Sequence, residues 1–223
     1  MRQLAHIMGQ PVGQSPEVAL VKETSVMSIA GDKAMLSLRL NLRAATHDVH
    51  ERLHQHAGFT AIQGGTIGLA DYRKIIVRLY GFYAPFETAL AVEPDRSEWL
   101  AADIEALNVE ALNVEACLCD VAMCSHLPQL DSTLLKLGAL YVTEGSALGG
   151  RELARGLDQL LGKDVRAGRT FFIGRGSETG LAWRSYLALL SAVPPAQSAH
   201  AEIIKGAVET FAAFEVWLNG WST

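Results

Sequence analysis

From Met35 onward the apolar positions recur with the helical period almost without interruption. The clearest stripe is Tyr72, Ile75, Ile76, Leu79, Phe82, Tyr83 and Phe86, which follows the i, i+3, i+4, i+7 rule and predicts a long amphipathic helix. Asp71 is placed to cap the start of that helix, glycines at 64, 65 and 68 separate it from a preceding one, and Pro94 follows its end. Asp131 and Ser132, just after Pro128, mark the start of another helix predicted to run to about residue 161. Residues 162–180, rich in Gly, Arg and Ser, read as an irregular connection. Two further helices, 181–192 and 196–218, are divided by Pro194 and Pro195. No stretch of any length alternates with a period of two, so the fold class is all-α, with six to eight helices in one layered bundle.

Composition narrows the field without naming a chemistry. A chain of 223 residues is most economically one domain, and 49% hydrophobic against 19% charged residues excludes a disordered chain. The net charge of -5 and the lack of a basic stripe interleaved with aromatics argue against nucleic acid as a partner. Charge or Gly breaks the apolar stretches well short of the roughly 20 residues that a membrane span needs.

Residues 1–34 differ in character from the domain at 35–223. They carry Pro11 and Pro16, several glycines and no convincing helical stripe, and read as a partly ordered extension, with Met27 or Met35 as alternative starts. Glu17, Glu23 and Asp32 argue against a transit peptide, and no secretory core is present. A tandem EALNV repeat begins at Glu105; its five-residue period matches no solenoid and reads as a local duplication. Cys117, Cys119 and Cys124 are too few for a closed thiolate site. They are expected as small apolar residues in a reducing cytoplasm.

Candidate chemistry lies in two segments. In NLRAATHDVHERLH, residues 41–54, His47, His50 and His54 fall along one side of a helix with Glu51 adjacent. Three readings of these residues stand side by side. His50, between Val49 and Leu53, is a core histidine bonded to a backbone carbonyl. Alternatively, Glu51 and His54 belong to a dinuclear carboxylate site, for which the chain has no second Glu-x-x-His. In the third, one histidine is an axial ligand to heme iron. The second segment, YVTEGSALGGREL at 141–153, places Gly145, Gly149 and Gly150 inside a helical run. Each glycine there costs roughly 1 kcal/mol relative to Ala, about 3 kcal/mol together. Backbone that must touch the face of a flat ligand would offset that loss, because only glycine has no Cβ in the way.

LRAATHDVHERL followed about ninety residues later by EGSALGGREL resembles the heme oxygenase family, particularly its bacterial branch, over residues 36–218. The resemblance implies an all-α fold with heme between a proximal and a distal helix. It also implies oxidative cleavage of heme to biliverdin, carbon monoxide and ferrous iron, using dioxygen and an external electron donor of ferredoxin or flavoprotein type. A bilin-accepting phytochrome is the implied recipient where the product serves as chromophore. Residue by residue, it gives His50 as the iron ligand, and Gly145, Gly149 and Gly150 as the backbone over the heme. Gly145, Ser146 and Gly149 are the implied reacting-side residues, with Arg43 and Arg184 as propionate anchors. Ser146 departs from the family pattern, which commonly has Asp there. A hydroxyl relays protons through water but is no carboxylate. A non-catalytic heme-binding, storage or sensing protein on the same fold is the alternative, and a thiamin-degrading relative a further one.

Overall fold

The computed structural model describes residues 36–107, 118 and 121–221. The N-terminal extension, the EALNV duplication beyond Leu107, and Cys117 and Cys119 lie outside these residues; Cys124 is buried. Residues 36–54 are helical (α1), followed by α2 Ala57–Gln63, α3 Leu69–Leu90, α4 Asp95–Ala106 and α5 Thr133–Ser146. Then come α6 Gly150–Gly156, the single turns α7 Asp158–Leu161 and α8 Thr170–Ile173, a 3-10 turn Gly176–Glu178, α9 Thr179–Ser191 and α10 Gln197–Leu218. Eight helices are seven residues or longer, and no strand occurs among the described residues. The all-α expectation therefore holds, and no helix among them is long and apolar enough to cross a membrane.

Local sequence explains most of the boundaries. In α1 the buried positions Leu38, Leu42, Thr46 and Leu53, with Val49 partly covered, form a stripe at helical spacing. His50 sits at its edge, one turn beyond Thr46. Every predicted apolar position of α3 from Tyr72 to Phe86 is buried. Asp71 does not cap that helix: it lies in the first turn, and Gly68 at the N-cap makes no side-chain bond. Ser132 does cap α5, its Oγ accepting the Leu135 N–H at 3.1 Å.

Pro85 inside α3 leaves the Gly81 carbonyl without its i+4 donor. The Cys124 N–H supplies the replacement at 2.8 Å and so fastens the segment after residue 121 onto α3. The helix predicted to run unbroken to about 161 instead breaks after Ser146: residues 147–149 form a turn before α6 begins at Gly150. The turn keeps ordinary backbone angles, with Ala147 and Gly149 both in the right-handed helical region, so the break does not depend on glycine's extra freedom.

Residues 162–180 hold more structure than an irregular connection, because distant side chains impose it. Asp103 of α4 accepts the N–H groups of Thr170 and Phe171 at 2.7 and 2.9 Å, capping α8. Buried Arg169 donates to the carbonyls of Ala154 and Gly162 and to Asp158, closing the ends of α6 and α7. α10 packs along α5, and the outer ends of α1 and α10 are tied by Arg52, which reaches both Glu215 oxygens at 2.6 and 2.9 Å.

The bond from Arg52 holds the Glu215 carboxyl below its usual 4.5. An acid depressed in the folded state contributes stability above its unfolded value and loses it as pH falls through the folded one. Wild type should therefore melt above Glu215→Gln at neutral pH, and thermal scans should show that difference closing once the pH falls below 4.5.

Candidate functional site

A single open cavity gathers the residues of both motifs. α1 contributes His50, Leu53 and His54; α3 contributes Leu79, Phe82 and Tyr83. The end of α5 and the following turn contribute Val142, Thr143, Gly145, Ser146 and Gly149, while α8 brings Phe171 and Phe172 and α10 brings Thr210, Phe211 and Phe214. Its space, open mouth included, is about 1410 Å³. That figure includes solvent at the rim, so it describes an open cleft rather than an enclosed chamber.

The His50 side chain is 48% exposed, half in the protein and half open to the cavity. It is not the carbonyl-bonded core histidine of the first reading. Burial is the main influence drawing its pKa below the ordinary 6.5, and neighbouring His54 adds to it; Glu51 pulls the other way without reversing the shift. The imidazole is therefore neutral near pH 7, with a lone pair available to a metal. Glu51 stands 3.7 Å from Nδ1, beyond hydrogen-bond range. The ring's close neighbours are His54, edge-on with centroids 4.5 Å apart, and Phe211 at 6.2 Å. His54 also lines the cavity, whereas His47 is exposed and does not.

The three glycines of the second motif separate into two kinds. A Cβ built on Gly150 would lie 2.5 Å from the Phe172 carbonyl oxygen, so close packing of α6 on α8 already explains that glycine. At Gly145 the added carbon would meet only the Trp183 ring at 3.7 Å, and at Gly149 only the Ser146 carbonyl at 3.6 Å; both are ordinary contacts. Nothing in the protein demands glycine at these two positions, yet both line the cavity. A bare backbone wall beside one neutral imidazole fits a planar metal macrocycle. Among the described residues, no group of three or more His, Cys, Asp or Glu side chains is arranged to hold a metal ion.

Arg43 and Arg184 are exposed and lie outside the cavity lining. Arg43 precedes His50 by seven residues and shares its side of α1, about 10 Å further along the axis. The cations that do line the cavity are Arg96 and Arg175, which sequence reasoning did not single out. Tyr83 was read only as part of a core stripe; it lines the cavity with Ser146, whose Oγ donates to the Thr143 carbonyl at 3.2 Å. Burial pushes the Tyr83 phenol above its usual range, so it remains protonated. The legible signal for this group was Glu144, an acid on the buried side of an apolar helix, which requires a basic partner from elsewhere.

The fold and cavity define a helical bundle with an open cavity between a histidine-bearing helix and a glycine-rich segment. The heme oxygenase family model matches residues 36–220, and the chain belongs to that family, which places it with heme degradation. The fold is similar to that of heme oxygenase-1 from the cyanobacterium Synechocystis, solved in complex with heme. The TM-score is 0.64 at 17% identity, covering 82% of this chain and 90% of that one. No curated protein matches the chain in sequence.

Proposed function

We propose that the protein opens heme oxidatively to biliverdin, carbon monoxide and ferrous iron, with heme as both substrate and cofactor. The observation that carries this reading is the shared cavity. His50 reaches it from α1, and Gly145 and Gly149, whose lack of a Cβ nothing in the protein requires, reach it from the α5–α6 break. Bound heme supplies the iron at which dioxygen and reducing equivalents act on the ring.

The chain's own residues hold and steer. His50 would hold the iron through a neutral imidazole nitrogen. The bare backbone at Gly145 and Gly149, which lines the cavity, would let a flat ligand approach closely. Phe82, Phe211 and Phe214 keep the surroundings apolar and limit water. Ser146, beside Tyr83 in the cavity lining, would present a hydroxyl able to relay protons through water. Arg43 and Arg184, exposed outside the cavity lining, would hold propionates by charge-assisted bonds that orient the ring more than they add affinity. Reducing equivalents come from a ferredoxin-type or flavoprotein donor, the setting is cytoplasmic, and a bilin-accepting phytochrome is one recipient of the product.

A single-turnover assay of the heme complex with an electron donor under air tests the reading. Decay of the Soret band with growth of a biliverdin spectrum is the expected result. A heme complex that persists unchanged under those conditions would instead establish the binding, storage or sensing alternative, which Ser146 in place of a carboxylate favours.

A further inference from the structure

Two imidazoles, not one, reach the cavity from α1. His50 and His54 are four residues apart, so they stand one above the other on one face of the helix. Their rings meet edge-on with centroids 4.5 Å apart, and both line the cavity. Among the described residues, no hydrogen bond ties up a ring nitrogen of His54, and its aromatic neighbour is His50. On His50 the Glu51 carboxylate stands 3.7 Å from Nδ1. A carboxylate on that side favours the proton on Nδ1 and leaves the Nε2 lone pair for a metal.

The heme reading uses the first ring and gives the second nothing to do. Imidazole suits the borderline first-row cations. Metal–nitrogen bonds of about 2.0–2.1 Å place the two donors of a tetrahedral site about 3.3 Å apart, within reach of rings whose centres are 4.5 Å apart. Both donors sit on one turn of a formed helix, so once the first has bound, the second meets the metal at a high effective concentration. No third His, Cys, Asp or Glu side chain joins the pair among the described residues, so water in the open cavity completes the coordination.

We infer that in the heme-free protein His50 and His54 chelate a divalent first-row cation of the zinc type, and that this ion and heme exclude one another because both take His50. The chelate requires only the two rings and goes beyond the heme reading. The exclusion rests on that reading.

Zinc titration of the heme-free, tag-free protein by isothermal calorimetry tests the pair. His50→Ala and His54→Ala should each raise the zinc Kd on the order of tenfold or more, since losing a ligand costs at least what losing an outer partner costs. Both residues are exposed, so both variants should fold. His47 provides the control: it is exposed on the same helix but outside the cavity lining, and His47→Ala should leave the zinc Kd unchanged. Magnesium, which prefers oxygen ligands, should not compete. Saturating zinc should raise the apparent heme Kd of wild type, read from a Soret titration, and by reciprocity heme should weaken zinc binding by the same factor. In His54→Ala about tenfold more zinc should be needed for the same effect on heme.

A zinc Kd unchanged in both His50→Ala and His54→Ala would overturn the inference, by placing the metal elsewhere on the chain, and leave the heme reading intact. So would the absence of zinc binding to a wild-type protein that takes up heme. Zinc binding that needs both rings yet is indifferent to heme would uphold the chelate and overturn the exclusion, and with it His50 as the heme ligand.

Discussion

His50→Ala is expected to lose heme affinity by on the order of 100-fold or more, with a weakened and shifted Soret band, while the protein stays folded. The side chain is half-exposed at the edge of the α1 stripe, and its removal leaves the buried contacts of Leu42, Thr46 and Leu53 in place. Stability should therefore change little, and the lost affinity measures the iron bond plus the ring's contacts with the ligand. The apolar cavity still attracts a macrocycle, so residual binding is expected. Added imidazole should restore the band by occupying the space the side chain vacates. His54 provides the internal control: its ring lies 4.5 Å away and lines the same cavity. His54→Ala should keep the Soret band. The reverse pattern, with His50→Ala normal and His54→Ala deficient, would move the ligand one turn along α1 and sink the assignment.

What the sequence made legible was whatever depends on near neighbours. The α3 stripe, the Ser132 cap and the break at Pro194–Pro195 all rest on residues within one or two turns, and all are found. The Asp71 cap was misplaced by three residues because Gly68, with no side chain to mark it, begins the helix. Other features depended on partners far along the chain. α8 exists because Asp103 supplies its first bonds from α4, a separation of 67 residues that no periodicity reports.

The glycine motif shows the same division. Its glycines were grouped as one ligand-facing set at about 1 kcal/mol each. Gly150 is accounted for by Phe172, and only Gly145 and Gly149 remain for the ligand. Glu144, next to them in the chain, was passed over because its meaning lies in Arg96 and Arg175, which only the fold brings together.

The same reasoning identifies glycines of greater structural consequence than those in the motif. At Gly138 an added Cβ would overlap the Ile203 carbonyl oxygen and lie 2.7 Å from the Ala207 nitrogen; at Gly206 it would meet the Leu135 carbonyl oxygen in turn. Here α5 and α10 touch backbone to backbone, with no rotamer able to give way. Gly138→Ala would gain about 1 kcal/mol of helix propensity. It would also force the two helices apart and unpack Ala139, Ile203 and Ala207, all of which are fully buried. The net loss should be on the order of 3 kcal/mol, in the range of severe core disruption. Because α5 and α10 each form a wall of the cavity, heme affinity should fall with stability. Gly149→Ala supplies the contrast: its new carbon would meet nothing closer than 3.6 Å, so its unfolding midpoint should stay near that of wild type. Urea unfolding of the two variants side by side decides the matter. Coincident midpoints would mean that the α5–α10 seam adapts to an extra methyl group, and the close approach would then not be what requires glycine at position 138.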